Sequence, residues 1–317
     1  MQPTLQRTIP SLLLSFAMAH QACAKTWTDP ETASKEDPDF GIQGEYAGDG
    51  AGLQVVALGK GNFQAALYDG GLPGAGAKGN EFSLYQGSLA EGVLKLEGPG
   101  GKAITVTGGK ADAGAGKTYA KTARMSPSLG QKAPKGAVVL FDAASGVNGF
   151  TPGTTRGEYL AEGQTTKDSF QNFHLHIEFR TPYKPETAPG SQDRGNSGIY
   201  IFNNYETQVL DSFGIKAEFN FCGSLYRTRE PDLNMCFPPL SWQTYDIHFA
   251  APTFEDGKKV ANARITTFHN GVKIHNDVEL EKGTGAGGKR PEKPKAQIYL
   301  QGHGNPVSYK NIWLLPE

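Results

Sequence analysis

The chain has 317 residues, of which 38% are hydrophobic and 41 are glycines. This length suits one large domain or two smaller ones, and the many glycines favour an all-β chain rich in turns over a helical one. The formal net charge of −1 provides no basic field that would attract a phosphate backbone. Nucleic acid is therefore not expected as a partner.

The first 24 residues have the pattern of an export signal peptide. Arg7 supplies a positive charge, Leu12–Met18 a short apolar run, and Ala22-Cys23-Ala24 a cleavage site of small residues. The apolar run is too short to cross a bilayer. We therefore expect an exported, periplasmic or extracellular protein without a transmembrane segment. A disordered N-terminus and a signal with a lipidated Cys23 are the alternatives.

Two cysteines, Cys222 and Cys236, would remain after removal of this signal. An even number of cysteines in an exported chain favours a disulfide between them. Two buried free thiols are the alternative, and neither cysteine has the surroundings of a catalytic nucleophile.

Short alternating runs separated by Gly, Pro, Asn and Asp indicate antiparallel strands along the whole chain. After a polar segment at residues 25–38, which we expect to be extended, the Gly-rich residues 39–124 predict a small β-domain. Residues 125–136 predict a linker, because they contain Pro and Gly, and residues 137–317 predict a second domain. The strand candidates of the first domain are Leu53–Leu58, Phe63–Tyr68, Val93–Glu97 and Ala103–Thr107.

The second domain contains strands with one apolar and one polar face. In Phe173–Arg180, apolar residues alternate with His174, His176, Glu178 and Arg180, and successive side chains of a strand point to opposite faces. The same alternation in Tyr205–Asp211 places Glu206 beside Gln208. In Gln297–His303 it groups Gln297, Tyr299, Gln301 and His303.

Two further patterns support a two-sheet sandwich. Asn270-Gly271 lies between Arg264–His269 and Val272–Ile274 and is typical of a type I′ hairpin. Strands that are apolar on one face only pack into a sandwich whose outer faces remain polar. The irregular stretch Lys282–Lys295 is predicted to be a surface loop. The aromatic residues that suit the apolar face of a sugar are Tyr200, Trp242 and Tyr299.

Six motifs of the second domain carry a family resemblance. They are VVLFDAASG near Val138, NFHLHIEFRTP from Asn172, GNSGIYIFNNYETQVLDS from Gly195, WQTYDIHF from Trp242, FHNGVKIH from Phe268 and IYLQGHGNPVSYKNIWLL from Ile298. With them the chain resembles the 3-keto-disaccharide hydrolase domain family over Ala137–Pro316. The resemblance implies an antiparallel, concanavalin A-like jelly-roll β-sandwich. The chain departs from the family pattern at Phe150, where a Trp is usual, and reads FDA in place of FDG.

The resemblance also implies a substrate and a reaction. The family acts on glycosides that are oxidised to a ketone at C3, so we expect an oligosaccharide or glycoside of this kind as the substrate. The ketone acidifies the C2 proton, and its removal would let the enolate expel the C1 substituent. Addition of water would complete a hydrolysis, whereas release before that step would be a lyase reaction.

Such a reaction requires a base, an acid and a positive group near the C3 oxygen. Glu206 is the predicted base, His303 the predicted acid, and Glu178 a further catalytic candidate that shares a strand face with Arg180. Arg180 would stabilise the enolate, or form a plain ion pair with Glu178. The other residues predicted to bind substrate are Asn196, Gln208, Asp211, Trp242 and Gln301.

Several alternatives remain at this point. Glu206 and Glu178 would also serve an ordinary glycosidase, whose stereochemistry depends on the carboxylate separation. No cofactor is required, but a divalent ion held by His174 and His176, or by Glu206 or His303, would polarise a ketone. A lectin-like carbohydrate-binding module without catalysis is the alternative outside the enzymes, because one fold hosts both roles.

Overall fold

The computed structural model of the protein describes residues 25–317, apart from the side chain of Ala286. The predicted signal peptide lies outside the described residues. Within the described range, none of the helices has the length and apolar character needed to cross a bilayer.

The polar segment before the first strand is helical, so the extended conformation predicted for residues 25–38 is wrong for most of its length. Its two helices are α1 (Pro30–Glu36) and α2 (Pro38–Ile42). The Asp29 side chain accepts a hydrogen bond from the Thr32 backbone N–H at 2.7 Å, and Pro30 begins α1. An Asp cap followed by Pro is a strong helix start, and Asp37 repeats the arrangement for α2.

The following eight strands form a closed antiparallel barrel in which each strand pairs with the next and the eighth pairs with the first. They are β1 (Gly44–Gly48), β2 (Ala51–Gly59), β3 (Asn62–Asp69), β4 (Ser83–Ala90), β5 (Val93–Glu97), β6 (Ala103–Thr107), β7 (Lys110–Asp112) and β8 (Thr118–Thr122). All four strands predicted in this region are confirmed. A 3₁₀ turn at Pro99–Gly101 joins β5 to β6. The barrel interior is filled by its own apolar side chains, including Tyr46, Leu53, Phe63, Leu94 and Ile104.

Sixteen strands follow the barrel. They are β9 (Val138–Asp142), β10 (Val147–Asn148), β11 (Phe150–Thr151), β12 (Thr155–Arg156), β13 (Tyr159–Ala161), β14 (Gln164–Thr166), β15 (Phe173–Arg180), β16 (Ser197–Ile201), β17 (Tyr205–Val209), β18 (Gln243–Ala250), β19 (Thr253–Glu255), β20 (Lys258–Ala261), β21 (Ala263–His269), β22 (Val272–Leu280), β23 (Ile298–Leu300) and β24 (Ser308–Pro316). A 3₁₀ helix at Gly285–Lys289 lies between β22 and β23.

These strands form two antiparallel sheets and a small hairpin. The nine-stranded sheet has the order β10-β9-β24-β15-β18-β21-β22, with β13 joining β24 and β12 joining β13. The five-stranded sheet has the order β11-β14-β23-β16-β17, and β19 pairs only with β20. The chain is therefore all-β and antiparallel, apart from its short helices.

The apolar faces of the two sheets share one core. In β15, Phe173, Leu175, Ile177 and Phe179 are buried in it, as the alternation predicts. The hairpin predicted at Asn270-Gly271 joins β21 to β22, and both turn residues have positive φ (50° and 78°), as a type I′ turn requires. The residues that alternate with the apolar residues of β15, such as His176 and Glu178, consequently lie on the outer face.

Cys222 and Cys236 are both buried free thiols, so the predicted disulfide is wrong for this structure. The Cys222 Sγ atom lies 3.2 Å from the Tyr245 hydroxyl, and the Cys236 thiol donates to the Leu210 carbonyl at 3.5 Å. Each thiol thus has a polar partner inside the apolar core, where cysteine packs as a small hydrophobic residue. The count of cysteines carried no information on this packing.

The barrel and the sandwich are joined through a buried arginine. Arg194 forms an ion pair with Asp211 at 2.8 Å, and both side chains are 1% exposed. The same guanidinium donates to the carbonyl oxygen of Ala57 in β2 at 3.3 Å. Nearby, Val56 of β2 belongs to the sandwich core, and a Cβ atom on Gly214 would lie 2.5 Å from it. The two parts are therefore packed closely.

The segment predicted as a linker, residues 125–136, contains no helix or strand and lies along the outer face of the nine-stranded sheet. Ser128 donates to Asp246 at 2.7 Å, the Gly130 N–H donates to Glu178 at 2.5 Å, and the Trp313 indole donates to the Gln131 carbonyl at 3.1 Å. This crossing segment is thus held to the sheet by side chains of three strands.

Replacement of Asp211 by Asn should destabilise the fold by about 3–5 kcal/mol, because it leaves the buried Arg194 charge without a counter-charge. Urea denaturation monitored by circular dichroism measures the loss. The matched control is Asp277→Asn, which removes the same charge from an exposed pair with Arg264 and should change stability little. Equal effects of the two substitutions would contradict the assignment.

Candidate functional site

A polar cluster covers the outer face of the five-stranded sheet. Its members, which we call the polar face, are Asn196, Tyr200, Glu206, Gln208, Tyr299 and Gln301. Tyr200 of β16 pairs with Glu206 of β17 on one side and with Tyr299 of β23 on the other. The cross-strand register therefore places the Glu206 carboxylate beside the ring of Tyr200, and the ring of Tyr200 beside that of Tyr299. The centroids of the two tyrosine rings are 6.0 Å apart.

The absence of a side chain at Gly198 leaves room for the side chain of Glu206. In the next row of the sheet, Gly198 pairs with Gln208, and its carbonyl accepts a hydrogen bond from the Gln301 backbone at 2.8 Å. A Cβ atom at position 198 would overlap Oε1 of Glu206. The glycine of the Asn-Ser-Gly element is therefore required because the carboxylate lies directly over the backbone of β16.

Four oxygen atoms of the polar face are buried without a hydrogen-bond partner among the described residues. They are Asn196 Oδ1, Glu206 Oε2, Gln208 Oε1 and Gln301 Oε1. The amide nitrogens of Asn196 and Gln208 already donate to Gln192 Oε1, at 3.2 and 3.0 Å. Because buried acceptors without partners are costly, this arrangement suits a ligand that brings several hydrogen-bond donors.

Glu206 has the electrostatics of a proton acceptor that works near neutral pH. The side chain is 2% exposed, and its burial raises the pKa of the carboxyl to about 7, although a hydrogen bond from Tyr200 and the charge of Arg290 oppose the rise. Burial and the neighbouring Glu206 raise the pKa of the Tyr200 phenol far above its ordinary value. Tyr200 therefore stays protonated and acts as a donor.

Arg290 belongs to a stretch that the sequence predicts only as a surface loop. Thr284 of this loop accepts a hydrogen bond from the Glu206 backbone at 2.7 Å. Further along, Arg290 donates to the Asn203 carbonyl at 2.6 Å, and its guanidinium lies 5.9 Å from the Tyr200 ring centre. The loop thus brings a positive charge to the polar face. Nothing in its glycine- and lysine-rich sequence indicated that role. Gln192, which lies in the irregular loop before β16, was also missed.

His303 lies in the loop that follows β23, two residues after Gln301, and its side chain is exposed. This loop adjoins Asn196, because Asn305 Oδ1 accepts a hydrogen bond from the Gly195 backbone at 3.1 Å. Of the predicted site residues, the structure therefore groups Glu206, Gln208, Asn196 and Gln301, with His303 in a neighbouring loop.

Glu178, Arg180 and Trp242 lie elsewhere. Glu178 and Arg180 project from the outer face of the nine-stranded sheet, so the hydrophobic core separates them from Glu206. Glu178 accepts hydrogen bonds from Gly130 and Asn311 at 2.5 and 2.7 Å. Arg180 lies over the ring of Trp242 at 4.9 Å. The expectation that Glu178 works with Glu206 is wrong, because alternation fixes the face within a strand but not which sheet the strand joins.

Asp211 is also unavailable to a ligand on the polar face. It is 1% exposed and its carboxylate is engaged by Arg194 rather than by Arg180. Its backbone N–H donates to the Arg194 carbonyl at 2.9 Å. The predicted role of Asp211 in substrate binding is therefore replaced by a role in holding the fold.

The two histidines considered as metal ligands bind a carboxylate instead. His176 Nδ1 lies 2.7 Å and His174 Nε2 lies 3.4 Å from Asp246 Oδ1. The two histidines lower the pKa of Asp246 despite its burial. In the part of the chain that the structure describes, no group of three or more His, Cys, Asp or Glu side chains has the arrangement of a metal site.

Comparisons with known proteins identify a family and solved structures to which this chain is similar. The family model for the 3-keto-α-glucoside-1,2-lyase-like domain matches residues 116–315. A solved structure from Parabacteroides distasonis, described as a candidate glycosyl hydrolase, is 30% identical, with a TM-score of 0.51, and the match covers 58% of this chain and 85% of that one. A second such protein of that organism is 16% identical with a TM-score of 0.40, covering 57% and 94%. No match is found among curated proteins.

The fold, the polar face and the family match define a carbohydrate-active protein of the glycosyl hydrolase type. More particularly, the chain belongs to the 3-keto-α-glucoside-1,2-lyase-like domain family, whose model matches well over half of its length. The family resemblance drawn from the six sequence motifs is thereby confirmed.

The burial of Glu206 predicts a characteristic pH dependence of stability. The folded protein keeps the Glu206 proton up to about pH 7, whereas the unfolded chain loses it near its ordinary pKa of 4.5. Stability therefore falls as the pH rises between these values. Glu206→Gln removes this penalty, and its stability relative to the parent should rise by about 3 kcal/mol from pH 4 to pH 8, as measured by urea denaturation.

Glu178→Gln is the matched control with the opposite sign. Hydrogen bonds from His176, Asn311 and Gly130 outweigh burial and lower the pKa of Glu178, so its charge stabilises the fold above pH 4.5. This substitution should destabilise most at neutral pH and less as the pH falls. If both variants changed in the same direction with pH, the different environments assigned to the two carboxyls would be wrong.

Proposed function

We propose that this protein cleaves glycosides of 3-keto sugars and that Glu206 is the base that removes the C2 proton. The observation that carries the proposal is the buried Glu206 carboxyl, with a pKa of about 7 and an oxygen without a partner among the described residues. A base whose pKa lies near the working pH is both deprotonated and a strong proton acceptor.

The proposed reaction has two stages. Glu206 takes the proton from C2, and the C2–H electron pair forms the enolate with the C3 carbonyl. The enolate then re-forms the ketone and its electrons expel the C1 substituent, whose oxygen takes up a proton. Addition of water across the C1–C2 double bond, with the hydroxyl at C1 and hydrogen at C2, completes hydrolysis, and release before that step makes the reaction a lyase reaction.

Groups around Glu206 supply the remaining requirements. In this proposal the Tyr200 hydroxyl and the charge of Arg290 stabilise the negative oxygen at C3, which is the role that the sequence had suggested for Arg180. Preorganised donors at the position where charge develops contribute most of such a rate enhancement. His303 is proposed to protonate the leaving oxygen from its exposed loop beside the polar face.

The amide oxygens of Asn196, Gln208 and Gln301 are proposed to bind the sugar hydroxyls. Each is an acceptor without a partner among the described residues, and a sugar hydroxyl is a donor. With Glu206 the set carries at most one negative charge, and its other members are neutral amide oxygens that accept a hydrogen bond from a hydroxyl. We therefore propose sugar hydroxyls rather than a metal ion as the groups recognised here, in a protein that acts after export.

The first test of this proposal is a product assay on 3-keto-trehalose and 3-keto-glucosides alongside their unoxidised parents. Cleavage should be confined to the oxidised sugars, and Glu206→Gln should lower kcat by about 10²–10⁴. Glu178→Gln, which changes the same group on the opposite face, should retain turnover. Sugar binding without turnover of any substrate would instead support the lectin-like alternative, because the acceptor oxygens alone suffice to bind sugars.

The hydrogen bond from Tyr200 provides a second test. Because this bond lowers the pKa of Glu206, its removal in Tyr200→Phe should raise that pKa further. The acidic limb of the pH profile of kcat/KM, which reports the base of the free enzyme, should then move to higher pH. The profile is recorded with a 3-keto-glucoside, and Tyr299→Phe is the matched control. An unshifted limb in Tyr200→Phe would contradict the role of Glu206 as the base.

A further inference from the structure

An apolar cleft lies between the barrel and the sandwich, next to the polar face. It has a volume of about 490 Å³. Strands β3 and β4 of the barrel form one wall, and two loops of the sandwich, before β16 and after β17, form the other. Its lining side chains are Gln64, Phe82, Leu84, Pro189, Ile215 and Phe221, together with the charged residues Lys216 and Glu218.

The cleft is connected to the polar face through Asn220. This residue lines the cleft, and its carbonyl accepts hydrogen bonds from Gln192 Nε2 at 3.1 Å and Gln208 Nε2 at 3.5 Å. Gln208 and Glu206 are two residues apart on β17 and project from the same face, so their Cα atoms lie about 7 Å apart along the strand. A sugar held at Glu206 therefore lies on the side of the polar face that adjoins the cleft.

The cleft exposes apolar side chains to water. Leu84, one of its lining residues, is 43% exposed. Leu84 belongs to neither hydrophobic core, so packing of the fold does not account for it. Exposed apolar surface in a concave position next to polar groups is typical of a ligand site.

The walls of the cleft are held in place without a ligand. Phe221 packs against Gly190, where a Cβ atom would lie 2.8 Å from its ring. The barrel wall is fixed to the sandwich by the bond from Arg194 to Ala57 and by the Asn80 side chain, which donates to the Asp232 carbonyl at 3.0 Å. A preformed apolar cleft loses little entropy when it binds a rigid ring.

We propose that this cleft binds an aromatic aglycone, so that the substrate is an aryl glycoside whose sugar lies on the polar face and whose C1 substituent lies between barrel and sandwich. This inference rests on the proposed function for the placement of the sugar. An aromatic ring would cover the apolar side chains of Phe82, Leu84 and Phe221 more fully than a second sugar, whose hydroxyl groups find no acceptor on these three side chains. The barrel thereby selects the leaving group.

The test compares 3-keto derivatives of phenyl α-glucoside and of trehalose with the full chain. The parent protein should have the higher kcat/KM for the phenyl compound. Leu84→Gln should reduce the ratio of kcat/KM for the two substrates about tenfold, through KM, because part of the apolar contact is lost, and Leu84→Met should restore it. The matched control is Val260→Gln, at another exposed apolar residue, which lies outside the cleft and should leave the ratio unchanged.

A preference for the disaccharide, or an equal loss on both substrates in Leu84→Gln, would overturn the inference. If neither 3-keto compound is cleaved, the proposed function fails, and the cleft is still tested by titration with unoxidised phenyl and methyl α-glucosides. Tighter binding of the phenyl compound that Leu84→Gln abolishes supports the cleft. Equal binding of the two glucosides contradicts it.

Discussion

The arrangement of this protein depends on one buried guanidinium. Arg194 binds the carboxylate of Asp211 and donates to the backbone carbonyls of Lys184, Pro185 and Thr187, as well as to the barrel through Ala57. It thus fixes the segment before β16, the chain just after β17 and the barrel in a single contact. The segments that it holds together include those that carry the polar face and the walls of the apolar cleft, so the relative position of the two depends on it. A charge at this depth is tolerated because its donors have partners.

Local patterns in the sequence predicted much of the fold. The alternation in Phe173–Arg180 gave both the strand and its buried face, and Asn270-Gly271 gave a hairpin, since each depends on neighbours along the chain. The helices at Pro30–Glu36 and Pro38–Ile42 have Asp-Pro starts, which are also local signals, but their short length and polar composition are typical of extended segments as well. The disulfide failed for a different reason. Pairing depends on how the two cysteines pack against each other and their neighbours, which a count of cysteines does not contain.

Only part of the candidate site was predicted from the sequence, and there is a physical reason why some of its residues were predicted and others were not. Glu206 and Gln208 share a strand face, so alternation sufficed to group them. Glu178 was grouped with them wrongly, because a strand's pattern does not specify which of two sheets it enters. Arg290 was missed because it reaches the site from an irregular loop, whose conformation depends on contacts such as that of Thr284 with the backbone of β17. The Asn-Ser-Gly element that contains Gly198 was recognised in the sequence. The reason for its glycine, which is the Glu206 carboxylate directly above it, is visible only in the structure.

The crossing segment, residues 125–136, has a consequence for the way the molecule is assembled. It leaves the barrel after β8 and bonds to β15, β18 and β24 before β9 begins, so it fills part of the outer face opposite the polar face. The connection between the two halves therefore has a fixed path and a fixed length, unlike a flexible tether. Any residue inserted or removed there would shift Ser128 and Gly130 out of register with their partners. The barrel is thus part of the sandwich's own hydrogen-bond network rather than an appendage to it.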